Sequence, residues 1–147
     1  MYTGLLHTHS SLRYLVLLFL LIVIVKSIIG WTGKKPFAKI DNTFSLVLLI
    51  VTHLQLVAGL VLYFVSPRVS LGEGMMTDIY RYFTVEHVAA MILAVGLITG
   101  ARSASKKAVD DERKFKILAI FNLIALAIIL ITLVLGKLNV FGPGSAV

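Results

Sequence analysis

"FSLVLLIVTHLQLVAGLVLYFV", residues 44–65, is a continuous apolar run with a histidine near its centre. About 20 such residues are what an α-helix needs to cross the hydrocarbon core of a bilayer. In lipid every backbone N–H and C=O must be satisfied by the protein, and a single segment achieves that only as a helix. Residues 44–65 therefore read as a membrane-spanning helix, and Thr52, His53 and Gln55 are polar groups set at mid-depth.

Three more stretches meet the same length requirement, at about residues 5–29, 83–101 and 117–135. The composition agrees: of 147 residues 59% are hydrophobic and only 14% charged, with a mean hydropathy of +0.97. A soluble domain of this size has no interior large enough to hide so much apolar side chain. The connections are short, so successive helices must run antiparallel. The expected fold is an all-α integral membrane protein, one domain over residues 1–147, built as an up-down-up-down bundle of four transmembrane helices. The first span has no basic segment ahead of it and no small-residue cleavage site after it, so it reads as a span rather than a cleaved signal.

The net charge of +7 is spread between the spans. Lys26, Lys34, Lys35, Lys39 and the six basic residues within 102–116 fall on one side, against Arg13, Arg68, Arg81 and Lys137 on the other. Such an asymmetry sets orientation. It predicts a multi-pass membrane protein with both termini on the non-cytoplasmic side, and it leaves nothing for a nucleic-acid partner to read. With no cysteine, disulfides, iron–sulfur clusters and thiolate metal sites are excluded. No Ser–His–Asp set, HExxH motif or acidic pair offers hydrolytic chemistry, and the Met75-Met76 pair is too slight for a soft-metal site. The segment "SPRVSLGEGMMTDIYRYF" predicts a short interfacial helix from about Met75, with Tyr80, Tyr82 and Phe83 at headgroup level. Gly96 and Gly100 form a GxxxG pair suited to helix–helix packing, and Gly59 reads as another close approach.

All four histidines lie in or beside spans. An intramembrane histidine is costly and calls for a role. With Lys26 and Arg102 at the cytoplasmic ends of the first and third spans, His9 lies roughly 9 Å and His87 roughly 6 Å outside the midplane, at ~1.5 Å per residue. The first and third helices of such a bundle are diagonal and run in the same direction. His9 and His87 can then face each other across the core, as two axial ligands of a b-type heme would. Arg13, one turn after His9, would pair with a heme propionate. Ala90 and Ala94, three and seven residues after His87, would give the macrocycle room. His7 and His9 exchange roles on a small helix rotation, and His53 substitutes for either ligand. His7 otherwise faces the surface or a quinone pocket. The plainer alternatives are an interhelical hydrogen bond for His53, a wet interfacial position for His7 and His9, and a helix-start pair for Glu86-His87.

The segments "LLHTHSSLRY", "THLQLVAGLVLYFVSP" and "YRYFTVEHVAAM" together resemble a family of small four-helix bacterial membrane proteins, common in Bacteroidetes, identified as cytochrome b or cytochrome b-like. The resemblance covers nearly the whole chain. It implies heme binding by His7 or His9, His53 and His87, and a place in electron transfer. One half of heme A synthase is a more distant likeness, but the fourth span here has no histidine, which speaks against a heme-modifying enzyme.

The expected function is that of a membrane b-type cytochrome-like protein with one heme, passing electrons between a quinol and a redox partner or membrane complex. The alternative is a cofactor-free accessory subunit of a respiratory or transport complex. A third reading, an ion-conducting channel, would use His53 and Glu86.

Overall fold

The computed structural model describes residues 1–72 and 81–135. Four helices make up this part: α1 (Tyr2–Thr32), α2 (Lys39–Val65), α3 (His87–Lys107) and α4 (Asp111–Leu135). A five-residue π-helical turn, Tyr82–Glu86, runs directly into α3. There is no strand among the described residues, and each of the four helical segments is long and apolar enough to cross a membrane. The expected interfacial helix from Met75, with Tyr80 and the Met75-Met76 pair, lies outside the described residues, as does Lys137.

The helices outrun the apolar stretches because their ends are capped by polar residues. α2 begins at Lys39, where Asp41 Oδ2 accepts the Ala38 N–H at 2.8 Å. Ahead of α4, Asp110 Oδ1 accepts the Arg113 N–H at 2.7 Å, and Asp111 and Glu112 sit in the first turn, where carboxylates favour the helix dipole. Lys106 and Lys107 occupy the last turn of α3 for the same reason with the opposite sign. α1 starts at Tyr2, so the two histidines of "HTH" are already inside a regular helix.

Contacts between helix ends establish antiparallel packing. At the end where α1 and α3 begin, Tyr82 Oη donates to the Thr132 carbonyl at 2.9 Å and Tyr63 Oη to the Thr84 carbonyl at 3.2 Å. At the loop end, Arg102 Nη1 donates to the Asn42 carbonyl at 3.0 Å, to Asn42 Oδ1 at 3.1 Å and to Ser45 Oγ. Gly30 of α1 lies flat against Phe115 of α4; a Cβ there would stand 2.5 Å from the ring. Phe37 also packs on Phe115, with ring centres 5.0 Å apart.

α1 packs against α2 and α4, and α3 against α4, while the seam between α2 and α3 is the thinnest. α1 and α3 are diagonal, and this is the up-down-up-down four-helix bundle expected from the spans. Leu20, Val23, Leu48, Ala94, Ile98 and Leu118 belong to its core. The outward faces are equally aliphatic, with Leu18, Leu54, Ile92 and Ile131 all exposed. Such all-round apolar helices belong in lipid. The GxxxG pair does not pack within the chain: Gly96 and Gly100 are exposed, and no atom lies within 4 Å of where their Cβ atoms would be.

Candidate functional site

Toward the end where the chain starts, the bundle is hollow. A cavity of about 930 Å³, its open mouth included, is walled by all four helices. α1 contributes His9, Arg13, Val16 and Leu17, which recur at helical spacing on one face; α3 contributes His87, Met91, Ala94, Val95 and Ile98 in the same way. Thr52, Gln55 and Leu56 close it from α2, and Ile129 and Leu133 from α4.

His9 and His87 face each other in this space, with ring centres 6.5 Å apart and planes inclined at 72°. The His9 ring rests on Gly59, where a Cβ would approach its Cε1 to 3.0 Å, and Gln55 Nε2 lies 3.5 Å from His9 Nε2. His87 Nδ1 lies 3.4 Å from Tyr82 Oη. That contact follows from the π turn. Residues five apart in an α-helix lie about 140° apart around the axis, whereas a π turn brings them onto one face. Arg81 and Glu86, also five apart, pair the same way at 3.1 Å, on the exposed side.

The cavity is cationic, and four of its buried polar atoms are unmet. Arg13 and Arg68 both line it, and among the described residues its walls include no Asp or Glu. Arg68 lies over the Phe83 ring, 5.5 Å from its centre. Among the described residues five buried side-chain nitrogen or oxygen atoms lack a hydrogen-bond partner. Four of them, His9 Nδ1, Arg13 Nε, Thr52 Oγ1 and Gln55 Oε1, belong to this one wall. Unpaired buried polar groups are rare because each costs about 1–3 kcal/mol. A smaller chamber of about 500 Å³ adjoins it toward Tyr2, Tyr63 and Ser66 and shares His9, His87, Phe83 and Arg68.

Of the residues singled out from the sequence, His9, Arg13, His87 and Ala94 are brought together. His7 is exposed, being about 200° around the helix from His9. His53 turns outward as well, its Nδ1–H donating to the Leu49 carbonyl at 2.8 Å, so it is not placed to substitute for either cavity imidazole. Ala90 is half-buried but does not line the cavity; Met91 takes that place. Glu86 is exposed beside Arg81, so the pair a conducting channel would need is not gathered around the cavity. Sequence reasoning missed Gln55, Gly59 as a seat for His9, Arg68, Tyr82 and Met91. Gln55 and Arg68 carried a signal, one as a mid-span amide and the other as a rare basic residue on its side. Among the described residues no three His, Asp or Glu side chains converge, so the arrangement offers two imidazoles rather than an all-protein metal cage. Comparison of the chain with protein-family models, with curated proteins and with solved structures returned no match to any of them.

Proposed function

We propose that this protein is a b-type cytochrome of the bacterial inner membrane, holding one heme between His9 and His87. The observation that carries the reading is the facing pair of imidazoles, 6.5 Å between ring centres. With metal–nitrogen bonds of about 2.0 Å, two imidazoles on opposite sides of one metal ion stand roughly 6 Å apart, centre to centre. Heme held there would supply a one-electron couple, with the nitrogens of His9 and His87 and the burial of the site setting its potential.

The chain's own residues have separable tasks in this reading. His9 and His87 supply neutral nitrogens from diagonal helices. Arg13 and Arg68 would give the carboxylates of the cofactor two guanidinium partners, in a wall with no acid among its described residues. Val16, Leu17, Leu56 and Ile129 keep water from the apolar part, and Ala94 keeps it open. The bias of basic residues toward the loop end supports an orientation with the site in the outer leaflet and both termini outside the cytoplasm. A membrane quinol and a redox partner protein are the electron-exchange partners that this setting favours.

A reduced-minus-oxidised spectrum of detergent-purified protein, with a pyridine hemochrome assay, tests the reading. The expected result is a Soret band and about one heme b per chain; no heme, in protein from heme-supplied cells, overturns it. That outcome would favour a cofactor-free subunit of a larger membrane complex, a reading supported by the outward-facing His53 and by the exposed Gly96 and Gly100.

A further inference from the structure

We infer that Tyr82 fixes the tautomer and aim of His87: its hydroxyl accepts the Nδ1 proton and leaves Nε2, with its lone pair, as the nitrogen presented to a ligand. Tyr82 is 4% exposed, so its phenol has no solvent to turn to. Its proton goes to the Thr132 carbonyl, 2.9 Å away, because a carbonyl oxygen only accepts. A phenol has a single proton. Toward His87 Nδ1, 3.4 Å distant, the same oxygen is therefore left as an acceptor, and Nδ1 must be the donor.

Among the described residues, the other rings against His87 do not compete for Nδ1. Phe83 meets it with an apolar ring at 6.3 Å between centres, and His9 with an imidazole at 6.5 Å. The chain Thr132 carbonyl, Tyr82 hydroxyl, His87 Nδ1 links α4 to α3 through the π turn. An ordinary α-helical turn in place of Tyr82–Glu86 would carry the tyrosine about 140° away from His87. An imidazole whose far nitrogen is so held keeps one orientation, and the bond makes the free nitrogen a stronger donor to a metal. Tyr82 thus acts through His87 as a positioning residue.

The tautomer follows from the hydrogen bonds alone, while its use toward iron rests on the heme reading. The test is ¹⁵N-histidine NMR of the heme-free protein in micelles, with His87 assigned by the resonance lost in His87→Gln. Wild type is expected to show the Nδ1–H form of His87, and Tyr82→Phe to shift it toward Nε2–H. An Nε2–H form in wild type, or a Tyr82→Phe spectrum that keeps Nδ1–H, overturns the inference; the wild-type spectrum decides even if the variant does not fold. In heme-loaded protein Tyr82→Phe is expected to keep the heme but raise its midpoint potential, because the weaker ligand favours ferrous iron. An unchanged potential removes the positioning role. Absence of heme from wild type would overturn the proposed function and leave the tautomer result standing.

Discussion

His87 and His53 are both histidines within spans, and the difference between them is where the ring points. His87 lines the cavity opposite His9, while His53 is exposed and bonded to its own helix at the Leu49 carbonyl. On the proposed heme reading His87→Gln is expected to abolish the heme bands, whereas His53→Leu leaves the heme-to-protein ratio unchanged. A loss of heme in His53→Leu would place the ligand pair elsewhere. Gly59 matters for a steric reason. A Cβ at this position meets the His9 ring at 3.0 Å, so Gly59→Ala requires the ring to give by a few tenths of an ångström. Heme occupancy is expected to fall several-fold in Gly59→Ala and to vanish in Gly59→Val, as read by the hemochrome assay; full occupancy in Gly59→Val would show that His9 is not held there.

At the scale of the helices, the loop end is where packing is closest. Gly30→Ala would drive a methyl group to within 2.6 Å of three Phe115 ring atoms, and an aromatic ring between α1, α4 and Phe37 has little room to retreat. Overpacking of this kind costs about 1–3 kcal/mol. Thermal unfolding in detergent should show the loss, and Phe115→Leu in the same chain should restore part of it. The elements themselves were legible in the sequence, since lipid imposes a length and a composition that stand out residue by residue. Their rotation was not. In water an amphipathic helix announces its buried face by polarity, but here Leu18 and Leu54 face lipid while Leu20 and Leu48 face the core. Nothing in "VTHLQL" says that Thr52 and Gln55 turn inward and His53 outward, and nothing in "HTH" separates His9 from His7. The π turn was equally hidden, and with it the meeting of Tyr82 and His87.

The whole molecule divides into two ends with different work. The loop end is sealed by Arg102 on Asn42 and Ser45, by Lys26 on Asp41 at 3.4 Å, and by the Gly30–Phe115 contact. The opposite end holds the cavity. Because the chain has no cysteine, single substitutions report orientation cleanly. In intact cells Thr3→Cys and Leu71→Cys are expected to react with a membrane-impermeant maleimide, and Lys34→Cys and Val109→Cys only after the membrane is opened. The reverse labelling would put the site in the inner leaflet. The sealed end also bears on how such a protein is made. None of its contacts involves a residue of the cavity wall, so the four helices can find their partners at the translocon with the chamber still empty, and loading of the proposed heme would be a late step in biogenesis. Cells starved of heme would then be expected to accumulate the assembled, colourless bundle in their membranes at near-normal levels, ready to be filled when supply returns; its rapid proteolysis instead would mean that the occupant is needed for assembly.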